Sequence, residues 1–368
     1  MSGTTSSRTM RAWRVHGPGD TRLDVVPRPV PAAPDDVQVR IEAAGICGTD
    51  LWVHEHAPVP ADYRHPLVGT AGPHVLGHEM AGTVTATGPA ARLPVGSLVA
   101  VRPLLACGTC STCRRCEPNL CEQRAFLGIH GGGGAFAEYV VVAADQLHPL
   151  PPPFTARTGA LVETLATCWH AVSAVEVAPD DVVLVVGAGP VGLGLVLCLR
   201  ARGVRQVLVS ARDGVRAEAA TALGARRLDP AQGPLHRLVR PATGGAGVAV
   251  SYDAAGAAGP VVDQQVRALR PGGHLVAVAE FHDAPTVDLT RLVREGKHLH
   301  GSAAYTPSDV DAVVGAVAAG LLDPSPLVTS TLALEDLLVG GLHHLSSGGR
   351  SRDVKVLVTA AGPAVTPR

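Results

Sequence analysis

Between residues 10 and 150 the apolar positions come in short runs: "VQVRIEAAG" (37–45), "AGTVTATG" (81–88), "SLVAVRP" (97–103) and "AEYVVVAA" (137–144). Their β-type residues and partial alternation predict strands, and the Gly and Pro between them predict tight turns. This is the pattern of an irregular, β-rich domain. "PLPPPFT" (149–155) reads as a rigid connector, and residues 1–9 as a flexible tail. Near residue 180 the pattern changes. "DVVLVV" (181–186) is a continuous apolar run, as expected of a strand buried on both faces. Helical spacing follows in "GPVGLGLVLCLRARG", then a strand in "RQVLVSA", a helix in "DGVRAEAATALGA", and strands in "VAVSYDAAG" and "GGHLVAVAEF". Strand–helix alternation of this kind predicts an α/β doubly wound parallel sheet. The pattern closes near "KHLHGSAAY" (297–305). The remaining stretch, 309–368, holds two helical segments and a last strand, "DVKVLVTA". It is too short for a domain of its own and is expected to rejoin the first. The predicted division is therefore 10–160 with 309–368, and 161–308.

Composition narrows the function classes. The chain is 46% hydrophobic but only 3% aromatic, so its cores are expected to rest on Val, Leu and Ala. A formal net charge of -1, with no strongly basic lobe, argues against nucleic acid or an anionic membrane as partner. The first residues, "MSGTTSSRTM", lack the apolar segment of a signal peptide, and Gly, Pro or charge breaks every apolar stretch well short of a membrane span. A cytoplasmic protein is expected, in which thiols stay reduced and clustered cysteines point to metal.

Five of the eight cysteines fall in "CGTCSTCRRCEPNLC" (107–121). Cys107, Cys110, Cys113 and Cys121 have the spacing C-x2-C-x2-C-x7-C, which lets four thiolates close a tetrahedral shell with no open position, as in a structural zinc site. Cys116, between two arginines and a glutamate, is left over: a reactive surface thiol or a passive occupant of the loop. "GICGTD" (45–50) and "GHE" (77–79) offer a second set, with Cys47, His78 and Glu79 each next to a Gly that permits close backbone approach. "VLVVGAGPVGLGL" contains G-x-G-x-x-G at Gly187, Gly189 and Gly192, after a strand and at the start of a helix. Gly187 suits the tight turn, Gly189 the approach of a pyrophosphate, and Gly192 close helix–strand packing. The helix start at Pro190 and Val191 would face the phosphates.

Together these motifs resemble the zinc-dependent medium-chain dehydrogenase/reductase (alcohol dehydrogenase) family over residues 10–360. "GICGTDL", "HVLGHEMAGTV", "CGTCSTC", "GGGGAFAEYVVVAADQLHPLP" and "HGSAAYT" are similar to its butanediol/sorbitol branch. The resemblance implies a GroES-like catalytic domain beside a Rossmann domain, two zinc ions per chain, a nicotinamide cofactor and a homodimer or homotetramer. It implies that Cys47 and His78 bind the catalytic zinc, with Glu79 or Glu163 as third ligand. It places the hydroxyl of Thr49 on the substrate oxygen, Thr167 in the nicotinamide pocket (or as a helix-start cap) and Lys355 near the pyrophosphate. The family's relay histidine corresponds to Trp52, which accepts no proton. His54 is the candidate substitute, against the reading that it is a surface histidine. Fixing the register by "LGA" (223–225) puts Ala211 where users of NAD in this branch carry an acid. With Ser210, Arg212 and Arg216 nearby, this predicts NADP, and NAD if Asp213 reaches the ribose. The implied reaction passes a hydride between a secondary alcohol or diol and the nicotinamide. The site is expected at the domain cleft, by the carboxyl ends of the strands. The alternatives are a biosynthetic reductase of another substrate and a non-catalytic regulator stabilised by zinc.

Overall fold

The computed structural model describes residues 8–281, 283–349 and 352–359. They divide into two units, one of residues 8–163, 328–349 and 355–359, the other of 164–327 (without 282) and 352–354.

The first unit is built from β1 (Thr9–Gly17), β2 (Asp20–Pro27), β3 (Asp36–Gly45), β4 (His74–Val75), β5 (Glu79–Thr87), β6 (Leu98–Val101), β7 (Leu104–Leu105), β8 (Ala125–Phe126), β9 (Tyr139–Ala143) and β10 (Leu147–Pro149). β17 (Val328–Ala333) and β18 (Lys355–Thr359) join it from the far end of the chain. β10, β6, β5, β3, β18 and β17 lie side by side in one sheet, with β9 also on β3. β3 alternates as its sequence predicts: Val37, Val39 and Ile41 enter the core with Val84, Val99 and Phe136, whereas Arg40 faces solvent. The β3–β18 pairing brings Gly45 opposite Leu357. The last strand thus lies beside the segment that leads into Cys47.

The second unit holds the parallel sheet. β11 (Val182–Val186), β12 (Gln206–Ser210), β13 (Arg226–Leu228), β14 (Val248–Asp253), β15 (Leu269–Ala277) and β16 (His298–Gly301) run in the order β13-β12-β11-β14-β15-β16. This is the doubly wound order whose reversal beside the first strand makes a dinucleotide crevice. Val183, Leu184 and Val185 are fully buried, as a central parallel strand requires.

One boundary differs from the predicted one. Residues 309–327 belong to the second unit, not the first. The helix Pro307–Ala318 buries Val310, Val313 and Val317, and its Asp309 accepts a 2.9 Å hydrogen bond from His170 on the helix Val162–Ser173. Only from Val328 does the chain return to the first unit.

Candidate active site and metal centres

The cysteine lobe lies between β7 and β8. Its sulfurs stand 3.5 Å (Cys107–Cys121), 3.9 Å (Cys110–Cys121) and 4.0 Å (Cys107–Cys113) apart. Zinc–sulfur bonds of about 2.3 Å put tetrahedral corners roughly 3.75 Å apart, so the four thiols fit a zinc ion. Backbone N–H groups of Cys107, Cys110 and Gln123 donate to sulfurs of the cluster. A hydrogen bond with the Thr112 hydroxyl, helped by backbone N–H groups, lowers the Cys110 thiol to about 5. Desolvation, followed by hydrogen bonds with the neighbouring thiols of Cys110 and Cys121, pushes Cys113 up to about 12. Cys116 is exposed and stands outside this set, with φ of 64°.

The second cluster is assembled by the ends of two strands and one helix. Cys47 follows β3 and caps the helix Gly48–His56. His78 and Glu79 stand where β5 begins. One ligand atom from each of Cys47, His78 and Glu79 lies within 4.8 Å of the others. A thiolate, an imidazole and a carboxylate at this spacing suit a zinc ion that keeps an exchangeable position. The glycines make room. A Cβ at Gly45 would stand 1.9 Å from Glu79 Oε2, and Gly77 has φ of 97°. The Cys47 N–H donates to Asp50 Oδ2 at 2.8 Å, and Asp50 Oδ1 lies 3.2 Å from His78 Nδ1, with both side chains buried. Burial opposes the His78 imidazolium, but Asp50, with Cys47, outweighs it and raises the group well above its ordinary range. A carboxylate behind one ring nitrogen leaves the other for a metal. The hydroxyl of Thr49 is 3.8 Å from the Cys47 sulfur.

In the second unit, Gly187 turns the chain at φ of 99° after β11, and the helix Pro190–Ala201 starts from Gly189. A Cβ on Gly192 would meet the Gly187 carbonyl oxygen at 1.9 Å, so no larger residue fits there. Asp253, buried at the end of β14, accepts hydrogen bonds from the N–H groups of Ala255 (3.0 Å) and Gly256 (2.8 Å). It thereby shapes the segment against which Gly187 packs. Ser210 ends β12, its carbonyl accepting from the Gly187 N–H at 3.0 Å, and Ala211 follows, buried. Asp213 is held by Arg227, Nη1 to Oδ1 2.5 Å. Arg212 is exposed, and Arg216 has Nη1 3.6 Å from where a Cβ of Gly189 would be.

Residues 33–152 match the model of an alcohol dehydrogenase GroES-like domain, and 190–319 that of a zinc-binding dehydrogenase. A probable diacetyl reductase [(R)-acetoin forming] 2 of Saccharomyces cerevisiae is 32% identical, with 95% of this chain and 90% of that protein covered. The chain belongs to the zinc-dependent medium-chain dehydrogenase/reductase family. It is a nicotinamide-dependent oxidoreductase of that family. The crystal structure of 2R,3R-butanediol dehydrogenase from Bacillus subtilis superposes with a TM-score of 0.88 at 31% identity, covering 96% of this chain and 100% of that one. D-xylulose reductase A of Aspergillus oryzae is 31% identical over 90% of this chain and 92% of its own.

Within this family frame three expectations change. Lys355 does not stand free for a pyrophosphate. It is 1% exposed, and its ammonium donates to Glu79 Oε1 (2.7 Å), Glu79 Oε2 (2.6 Å) and the Ile46 carbonyl (3.3 Å). With three protons and three acceptors its capacity is spent. Burial alone would lower it, but Glu79, then Cys47 and Glu163, raise it. His54 is neither a surface residue nor among the metal ligands. It is 5% exposed, with Nδ1 2.8 Å from the Thr21 hydroxyl and its ring beside His343. Burial, and His343 after it, push it below its ordinary range, so it is neutral near pH 7. The helix of Thr167 starts at Val162, so Thr167 is no helix-start cap. Glu163, in the first turn of that helix, lies outside the set of Cys47, His78 and Glu79 among the described residues. Its charge does favour the Lys355 ammonium. One site residue, Asp50, and the partner of another, Lys355, escaped the sequence reading. Asp50 has a signal in C-x-x-D at a helix start, where an acid three residues on caps the N-cap N–H. Lys355 has one in a lone cation within an apolar strand, since a buried charge needs a partner.

Proposed function

We propose that the protein is a dehydrogenase/reductase of small secondary alcohols, with vicinal diols and hydroxyketones of the butanediol–acetoin type as its substrates and NADP(H) as its cofactor. The observation that carries this reading is the convergence of Cys47, His78 and Glu79 within 4.8 Å, in a chain that also has the glycine-turn sheet. Its relatives named above act on diacetyl, butanediol and xylulose, and support the substrate class. Two zinc ions per chain follow from two ligand sets of different openness, four thiols in one and three mixed donors in the other.

Zinc held by Cys47 and His78 would supply Lewis acidity toward the substrate oxygen, and the nicotinamide would supply or accept the hydride. The chain's own residues do the rest. The Asp50 carboxylate, 3.2 Å from one His78 nitrogen, favours a ring orientation that turns the other toward the metal set. The Thr49 hydroxyl, 3.8 Å from the Cys47 sulfur, is placed to exchange a proton with the substrate oxygen. Lys355 supplies a buried counter-charge to Glu79. Thr167 is assigned to the nicotinamide side.

The NADP preference rests on the end of β12. Ala211 offers no carboxylate to the ribose, and Asp213 pairs with Arg227 at the surface. Arg216 stands over the glycine turn and Arg212 is exposed at the strand end. An acid there would bond ribose hydroxyls and repel a 2′-phosphate, and an arginine does the reverse. The test follows nicotinamide absorbance with 2,3-butanediol or acetoin and each cofactor. Turnover with NADP(H) ahead of NAD(H) is expected. The Ala211→Asp variant should shift the ratio toward NAD(H) by roughly tenfold, about 1.4 kcal/mol. A wild type that prefers NAD(H) overturns the cofactor assignment, and no turnover across a panel of diols, polyols and ketones overturns the substrate class.

A further inference from the structure

The parallel sheet ends in β16, and on one face of that edge stand three imidazoles that take no part in the site described above. His298 and His300 are two residues apart on β16, so both project from one face. His274 on β15 is the direct register partner of His298, and Val276 that of His300. His274 therefore shares their face. The alternate residue Leu275 enters the core on the opposite face.

We propose that His274, His298 and His300 form a binding site for a divalent transition-metal ion of the kind that prefers nitrogen ligands, such as nickel or zinc. Two histidines at alternate positions of one strand and a third on its neighbour make a triangular donor set, the three-histidine arrangement that leaves one tetrahedral position for water. The spacing fits. His274 Nδ1 lies 3.0 Å from His300 Nε2, and metal–nitrogen bonds of about 2.0–2.1 Å put neighbouring tetrahedral ligand atoms roughly 3.4 Å apart. The ring centres are 4.6 Å (His274–His298), 5.2 Å (His274–His300) and 6.1 Å (His298–His300) apart. His298 stacks on His274 and must turn about its side-chain torsions to present a nitrogen. It is exposed at the sheet edge, which leaves it room to turn.

The electrostatics agree. Desolvation, followed by His298, His300 and Arg270, pushes the His274 imidazolium below its ordinary range, so its ring is held in the neutral form that binds metal. The nearest cations are engaged elsewhere. Arg270 is 3.2 Å from Asp181, and Lys297 donates to the Val266 carbonyl at 2.8 Å and pairs with Glu295 at 2.5 Å. A bound ion would join β15 to the last strand of the sheet, and so stabilise the edge by mass action.

The test uses the zinc-loaded enzyme, purified without a polyhistidine tag, titrated with Ni2+ by calorimetry. Metal analysis of the same samples checks that the resident zinc is unchanged. One further equivalent of Ni2+ is expected in the wild type and in Leu299→Ala, together with a raised thermal midpoint. In His298→Ala and in His300→Ala the affinity should fall by about tenfold or more, since a lost ligand costs at least as much as a lost outer-shell partner. Absence of a further equivalent overturns the proposal. So does an affinity in either histidine variant equal to that of the wild type, which would put the ion elsewhere on the surface.

Discussion

Lys355 and Glu79 are each 1% exposed and meet through both carboxylate oxygens. Removing one partner of such a pair leaves the other charge buried alone, which costs about 3–5 kcal/mol. Lys355→Met should lose stability of that order in urea unfolding, and the double variant with Glu79→Gln should recover part of it. Additive losses would mean that the pair is not coupled. His74 makes a different prediction. It is 5% exposed, and burial, with His130 and Arg14, lowers its imidazole to about 4. The unfolded chain therefore takes up a proton that the folded one refuses. Stability is complete above pH 6.5 and falls as pH drops from there toward 4, by up to about 3 kcal/mol. Urea midpoints measured at pH 7 and pH 5 should differ less in His74→Leu than in the wild type. Cys116 holds φ of 64° on the surface. Cys116→Gly removes the steric cost of that backbone and is expected to raise stability by about 1 kcal/mol, with the zinc content of the lobe unchanged.

At the scale of elements, turns and strand ends do the positioning. The helix Pro190–Ala201 can approach β11 because Gly192 has no Cβ, and the helix Gly48–His56 is fastened at its start by Asp50. Gly192→Ala would drive a methyl into the Gly187 carbonyl, which is backbone and cannot move aside cheaply. Its expected result is weakened cofactor binding, read by fluorescence titration of the nicotinamide, with Gly203→Ala at a distant turn as a control for general destabilisation. The two metal sets should separate by phenotype. Cys110→Ser breaks a closed four-thiol shell, whose metal affinity is folding energy, and should lower the thermal midpoint. Cys47→Ser should abolish turnover while the midpoint stays near that of the wild type. A reversed pair of outcomes would exchange the two assignments.

At the scale of the whole molecule, the first unit is closed by the far end of the chain. β17 and β18 complete its largest sheet, and β18 carries Lys355 to Glu79. A chain truncated after residue 327 is expected to be insoluble, because the sheet would lose β18 and β17 beyond β3, and Glu79 its counter-charge; a soluble, zinc-loaded product would contradict this. Much of the architecture was legible beforehand. The continuous "VLVV" run, the glycines after it and the alternating strands of the first unit are local patterns, and local patterns follow from backbone sterics and burial. The spacing of the four cysteines is equally local, since a short loop can bring its thiolates onto one ion with little help from the rest of the fold. What the chain alone left open were pairings between distant segments. Asp309 reaches His170 and draws residues 309–327 into the second unit. Lys355 lies 276 positions from Glu79 and is its counter-ion, and the Thr21 hydroxyl, 33 positions away, is the partner of His54 Nδ1. A side chain's residue type sets what it can bond. Only the tertiary structure decides which groups are within reach when it is buried, because desolvation makes a buried charge or imidazole settle on whatever partner the sheet registers bring to it.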